Sequence, residues 1–158
     1  MAIALFPGSF DPITKGHESV VIRALPMFDK IIVAVGENTS KKSFFSLQKR
    51  MQWLEETFQK YPKIEIHSFN SLTIDYCRQV GAKFILRGLR NSVDYQYEMN
   101  IARINHELNE DIETVFLLTK PEETAISSSF VREIISFGGD VSKFVPSAIK
   151  ITPQDIAK

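Results

Sequence analysis

A histidine that follows a glycine, shortly after an apolar run, is placed to work on a phosphate. The chain offers this at Thr14-Lys15-Gly16-His17, downstream of Ala2-Ile3-Ala4-Leu5-Phe6. The residues between, Pro7-Gly8-Ser9-Phe10-Asp11-Pro12-Ile13, carry groups of the same kind. Gly8 has no Cβ and lets backbone come close to a ligand. Ser9 offers a hydroxyl and an N–H. If Gly16 and His17 open a helix, its free N–H groups and its dipole favour an anion there. The imidazole can then donate to a phosphate oxygen. The loop is neither a Walker A sequence nor the three-glycine dinucleotide fingerprint. A lone histidine at such a place most often only caps; the glycine between strand and helix shifts the reading towards anion binding.

Further cations stand at the ends of other apolar runs. Arg87 directly follows Phe84-Ile85-Leu86, and a charge there must escape, pair or bind an anion. Arg90 comes next, and planar guanidinium groups suit phosphate forks. Its rival role is a structural ion pair, because Arg90, Asp94 and Glu98 are spaced by four along one helical face. Lys41 and Lys42 follow the second apolar run, where an exposed pair is otherwise a solvated loop. Ser127-Ser128-Ser129 precedes a helical pattern; serines there are ordinary N-caps or donors to phosphate.

These residues need elements to hold them. Residues 2–6, 30–36, 63–69, 83–87 and 112–118 read as strands, apolar at most positions, as parallel strands covered on both faces are. Between them the pattern turns helical. Leu47, Met51, Leu54 and Phe58 share one face; Leu72, Tyr76 and Val80 share another, with Gly81 at the helix end. Val93, Tyr97, Ile101, Ile104 and Leu108 mark a longer helix, and Phe130, Ile134 and Phe137 a last one stopped by Gly138-Gly139. Pro26 predicts a kink or an early end to the first helix. The alternation implies right-handed crossovers and a single-domain, Rossmann-like, doubly wound α/β fold over residues 1–158, with five parallel strands flanked by helices. Residues 140–158 are expected to form short helical pieces, partly frayed, because Pro146 and Pro153 interrupt them. Such a sheet binds its ligand at the carboxyl ends of its strands. The loops to inspect are residues 7–17, 36–45, 69–73, 87–98 and 119–129.

Composition narrows the function classes. The chain has 158 residues, 44% apolar and 24% charged, which is ordinary for a globular domain. Lys+Arg and Asp+Glu number 19 each, so no global field draws it to nucleic acid or an anionic membrane, and any anion site is local. The longest apolar run, Ile31-Ile32-Val33-Ala34-Val35, is far below the roughly 20 residues of a membrane helix. No signal segment is visible, and the single Cys77 excludes an intrachain disulfide and suits a reducing cytoplasm. No His/Cys cluster suggests zinc. His67 and His106 match nothing catalytic, and Trp53 and Cys77 read as packing residues.

Thr14-x-Gly16-His17 resembles the T/H-x-G-H signature of the nucleotidylyltransferase superfamily. The full block Pro7–His17 is similar to that of the bacterial phosphopantetheine adenylyltransferases. Ser40-Lys41-Lys42, then Arg87-Gly88-Leu89-Arg90 with Asp94–Met99, then Ile126-Ser127-Ser128-Ser129 follow in that family's order. The resemblance implies transfer of the adenylyl group of ATP, carried as its Mg2+ complex, to 4′-phosphopantetheine. Dephospho-CoA and pyrophosphate are the implied products, formed by direct in-line attack without a covalent enzyme intermediate. It implies His17 as the transition-state stabiliser. It places Ser9, Phe10, His17, Gly88, Leu89, Arg90, Glu98 and the run Glu123, Thr124, Ala125, Ile126, Ser127, Ser128, Ser129 at ATP. Ser9, Lys41, Thr73 and Arg87 are placed at 4′-phosphopantetheine. A cytoplasmic homohexamer, with CoA as feedback inhibitor and no dedicated protein site for a metal, is implied as well. The chain departs from the family at Glu123, where an aromatic residue is usual. A cytidylyltransferase acting on a glycerol phosphate and a non-catalytic nucleotide-binding regulator are the alternatives; base preference and pyrophosphate release separate them.

Overall fold

The computed structural model describes residues 1–158. Five parallel strands form one sheet in the order β3-β2-β1-β4-β5. They are β1 (Ile3–Gly8), β2 (Lys30–Gly36), β3 (Ile64–Phe69), β4 (Phe84–Leu89) and β5 (Glu113–Leu118). The helices are α1 (Lys15–Ala24), α2 (Leu47–Phe58), α3 (Thr73–Val80), α4 (Ser92–Leu108) and α5 (Ser128–Ser136). Short 3-10 turns cover Leu25–Met27, Pro121–Glu123 and Pro153–Asp155.

Side chains alternate across the strands and each face finds its own cover. Ala4, Phe6, Val33 and Val35 face Val20, Val21, Trp53 and Leu54 of α1 and α2. Leu5, Ile32, Ala34 and Ile85 face Ile74, Tyr76 and Cys77 of α3. Both faces of the central strands are therefore covered, and the only polar side chain of β1 and β4, that of Arg87, stands in the carboxyl half of its strand.

The sheet is built to open at one place. β1 pairs with β2 over its whole length, Ile3↔Lys30 through Gly8↔Val35. It pairs with β4 only at Ala4↔Phe84 and Leu5↔Ile85. Beyond that the two central strands part, and the chain order reverses across this gap. It is the topological switch point at which open α/β sheets hold ligands. Pro7, which has no N–H to offer a ladder, sits on one lip, and Arg87 on the other.

Several sequence expectations are met and several corrected. α1 does end early, at Ala24, with Pro26 inside the following 3-10 turn. Gly81 takes the left-handed φ of 71° that closes α3. Leu72 instead precedes α3 and is 63% exposed, so the buried face is Ile74, Tyr76 and Cys77. β1 and β4 run on to Gly8 and Leu89, carrying the site residues on strand rather than loop. In α5 the core takes Val131 and Ile135, and Ile134 packs against it, while Phe130 and, just past the helix, Phe137 are exposed. In α4, Val93, Tyr97, Ile104 and Leu108 are all exposed. The apolar face lies away from the sheet, whereas the buried residue of the helix is Glu98. The C-terminal residues are packed rather than frayed. Val141, Val145, Ile149 and Ile151 join the core, Phe45 bridges Ile156, and the Ala157 N–H donates to the Phe44 carbonyl at 2.9 Å.

Candidate active site

The β1–α1 loop is fixed from several directions. Both oxygens of the buried Asp11 carboxylate accept backbone N–H groups, from Phe44 and Phe45, at 2.8 Å each. The carbonyl of Ser9 accepts from Arg50 and that of Asp11 from Arg132, both at 2.8 Å. The Pro12 carbonyl accepts from the Ser128 hydroxyl at 2.8 Å. Phe10 is held at φ 44°, a conformation disfavoured for a side chain with a Cβ and tolerated where packing enforces it. Its ring lies 5.6 Å from that of Phe6 and 5.2 Å from that of His17. A Cβ on Gly8 would come within 3.1 Å of the Phe10 ring. Gly8 is therefore needed for the aromatic that supports the histidine.

His17 is locked by a capping box at the start of α1. Its N–H donates to the Thr14 hydroxyl at 3.4 Å, and the Thr14 N–H donates to His17 Nδ1 at 3.0 Å. Nδ1 accepts, so the ring proton of the neutral imidazole is on Nε2. Burial, then the charges of Arg87 and Arg90, lower the pKa of His17 from 6.5 to about 4. At neutral pH the ring is therefore an uncharged, oriented N–H donor.

His17 lines a cleft of about 360 Å³ with Ser9, Arg87, Arg90, Ser128 and Arg132 among its neighbours. The N-termini of α1 and α5 both open onto it, through Gly16 and Ser128. Ser127 caps α5 by accepting the Phe130 N–H at 3.2 Å, which leaves the first N–H groups of that helix for a ligand. Arg87 spans the split sheet. It makes a two-pronged pair with Glu98 at 2.8 and 2.6 Å and donates to the Pro7 carbonyl. Arg90 pairs with Asp94 at 3.0 and 3.3 Å. The expected Arg90–Asp94–Glu98 ladder is thus divided: Glu98 serves Arg87, because it projects from α4 back towards β4.

Two further cavities meet the cleft at Ser9, which lines all three. One, of about 260 Å³, is bounded by Thr73, Arg87, Phe69, Ile101 and Asn105. The other, of about 400 Å³, holds Lys41, Lys42, Arg50 and Arg132 beside the C-terminal Ile156 and Ala157.

Most of the residues singled out in the sequence come together here. Ser9, Phe10, His17, Gly88, Arg90, Glu98, Glu123, Ile126, Ser127, Ser128 and Ser129 line the cleft. Lys41 does not line it; it stands one cavity away, across Ser9. Leu89 is buried behind the cleft, its carbonyl accepting the Thr119 N–H at 2.9 Å. Thr124 turns its hydroxyl back to the Lys120 carbonyl at 3.3 Å. Ala125 lines a separate apolar hollow with Phe130 and Phe144. Gly88 has a second task, since a Cβ there would meet Val20 of α1 at 3.0 Å. Sequence reasoning missed Arg50, Thr119 and Arg132. A signal for the last was present, because Arg132 lies one helical turn beyond Ser129 and donates to its hydroxyl at 3.1 Å.

Comparison with known proteins gives the family and the fold. Residues 5–134 match the model of the cytidylyltransferase-like family. A phosphopantetheine adenylyltransferase of Flavobacterium psychrophilum is 49% identical over 96% of this chain and 99% of its own. One of Leuconostoc citreum is 48% identical over 94% of each chain. Among solved structures, a bifunctional NMN adenylyltransferase/ADP ribose pyrophosphatase of Francisella tularensis superposes with a TM-score of 0.71 at 20% identity. It covers 94% of this chain and 46% of that one, and supports the fold.

Proposed function

The chain belongs to the cytidylyltransferase-like family and, within it, to the phosphopantetheine adenylyltransferases; we propose that the three cavities meeting at Ser9 divide its two substrates between them. It is a nucleotidyltransferase, and its reaction is adenylyl transfer from ATP to 4′-phosphopantetheine in CoA biosynthesis.

ATP lies in the cleft between the N-termini of α1 and α5, with its phosphates towards Arg90, Arg132 and the serines. The α-phosphate rests at His17 Nε2. The pantetheine arm fills the cavity of Thr73, Ile101 and Asn105, and its phosphate is gathered by Ser9, Lys41 and the free N–H groups of Arg87. An oxygen of that phosphate attacks the α-phosphorus of ATP. The bond from α-phosphorus to the bridging oxygen of the β-phosphate breaks, and pyrophosphate leaves with the electron pair. No protein nucleophile and no protein-borne proton is required. His17 donates to the non-bridging oxygen on which charge builds, and being neutral it does so without first losing a strong hydration shell.

Mg2+ enters as part of the nucleotide substrate. Asp94 and Glu98 are engaged by arginines and are not free to hold it, and phosphate oxygens and water would supply its ligands. We also propose a homohexamer, supported by the exposed apolar face of α4 at Val93, Tyr97, Ile104 and Leu108. CoA, which contains both product halves, acts as the feedback ligand of the same cavities. A cytoplasmic location suits the free, buried Cys77, and no helix is long and apolar enough to cross a membrane.

The observation that carries this reading is the locked, neutral imidazole facing cations across the split in the sheet. Purified protein with MgATP and 4′-phosphopantetheine should release pyrophosphate and form dephospho-CoA. CTP outperforming ATP would move the assignment to a cytidylyltransferase. Binding of ATP without turnover would make the chain a regulator.

A further inference from the structure

The cavity assigned to the pantetheine arm has one aromatic wall, Phe69 at the end of β3. Two neighbours fix its ring. The β2–β3 register sets Phe69 beside Gly36, where a Cβ would lie 3.4 Å from the ring edge. The face of the ring stacks on Tyr76 of α3, with centroids 4.8 Å apart and planes 12° from parallel. Tyr76 is itself buried and takes no part in the cavity wall.

A phenylalanine at position 76 would stack as well. The hydroxyl adds nothing to the stack and, being buried, needs a partner. That partner is His67 Nδ1, at 2.7 Å. His67 Nε2 lies 3.2 Å from a carboxylate oxygen of Glu65. A carboxylate only accepts, so Nε2 carries the ring proton; in the neutral ring Nδ1 is then bare and the tyrosine O–H donates to it. Glu65 is braced in turn by Lys30 of β2, whose hydrogen bond is the first cause of its carboxyl lying below the ordinary range. Donation thus runs one way, from Tyr76 through His67 to Glu65. Residues 65, 67 and 69 alternate onto one face of β3, so the chain of hydrogen bonds and the stacked pair lie side by side under α3. Anchored at its hydroxyl, the Tyr76 ring cannot rock, and Phe69 keeps the plane of the ring it lies on.

We propose that Tyr76, tethered by His67, is a positioning residue for the acceptor: it fixes Phe69, the wall the arm packs on, without touching substrate. This rests on that cavity holding the pantetheine arm.

The test is steady-state kinetics of the whole protein with MgATP and 4′-phosphopantetheine, with melting temperatures measured alongside. Tyr76→Leu removes the stack and should raise the acceptor KM roughly 2- to 10-fold. Its kcat and ATP KM should stay within about twofold, because a wall contact binds ground and transition states alike. Tyr76→Phe and His67→Val keep the stack and lose the tether. Each should raise the acceptor KM about twofold, and the double variant no more than either alone, since both act through one hydrogen bond. Val80→Ala, one turn further along α3 and packed on the same core, should lower the melting temperature and leave both KM values alone. Phe69→Leu should raise the acceptor KM at least as much as Tyr76→Leu.

A Tyr76→Leu variant with the wild-type acceptor KM, beside a Phe69→Leu variant in which it rises, overturns the proposal. So do ATP and acceptor KM values that rise together in Tyr76→Leu, or additive effects of Tyr76→Phe and His67→Val. An acceptor KM raised equally by Val80→Ala also does, because loosening α3 would then suffice. An unchanged acceptor KM in Phe69→Leu would take the arm out of this cavity and the proposal with it. Failure of the wild type to adenylylate 4′-phosphopantetheine would instead defeat the assignment of the reaction.

Discussion

The nucleotide cleft and the lysine cavity share Ser9 but are held in different ways. On the cleft side, His17 is half-buried, capped through Thr14, packed on Phe10 and fixed in one tautomer. Arg87 and Arg90 are each clamped by a carboxylate. On the other side, Lys41 lies exposed in the connection between β2 and α2, and only the walls of its cavity are fixed. The contrast matches what each group must do. Transition-state charge is best met by donors that need no reorganisation. An incoming acceptor has to be gathered from solvent, and a mobile cation can reach for it.

The contrast can be broken at its rigid end first. His17→Ala should lower kcat by roughly 10²–10³ while leaving the affinity for ATP within a few-fold, since binding is spread over many phosphate donors. Equilibrium binding alongside steady-state kinetics checks this, and an unchanged kcat removes His17 from the chemistry. Arg87→Ala comes next. It removes an acceptor ligand and leaves Glu98 buried and unpaired, so both the acceptor KM and the melting temperature should suffer; unpairing a buried charge costs about 3–5 kcal/mol. Lys41→Ala should raise only the acceptor KM, about tenfold, with no loss of stability, because an exposed lysine supports no packing. Equal melting losses in the two variants would erase the distinction between the sides.

A gentler change sharpens the comparison. The C-terminal segment lies against the lysine cavity through the Phe45–Ile156 bridge, the Ala157–Phe44 hydrogen bond and the Lys49–Asp155 ion pair at 3.0 Å. Removing residues 152–158 should loosen that cavity and raise the acceptor KM a few-fold, with the ATP KM unchanged. Equal effects on both substrates would show that the segment serves the whole fold.

Much of this was legible in the chain. The Pro7–His17 block, the strand count and the doubly wound order follow from local patterns: apolar β-branched runs, a glycine before a helix, serines at a helix start. What was not legible depends on the third dimension. The partner of Glu98 is Arg87, not Arg90, because the turn between β4 and α4 brings the buried edge of the helix back over the strand. Leu89 belongs to β4, not to a loop, so its side chain enters the core. The exposed stripe on α4 has the same helical spacing as a core-facing one, and periodicity alone does not say which neighbour covers it. Arg132 was hidden because an arginine inside a helix carries no local mark of the carbonyl it will reach.

His17 also sets a pH dependence whose sign is fixed. In the unfolded chain it gains a proton near 6.5, and in the folded one only near 4. The stability present above 6.5 therefore declines as pH falls through that window, by at most about 3 kcal/mol, and a His17→Gln variant should lack that slope. The central claim, a neutral imidazole aimed by its own helix cap, is tested most directly by nitrogen-15 NMR of the His17 ring in the unliganded protein. The expected result is a proton on Nε2, Nδ1 bare, and a titration midpoint near 4. A proton on Nδ1, or a midpoint near 6.5, would contradict it.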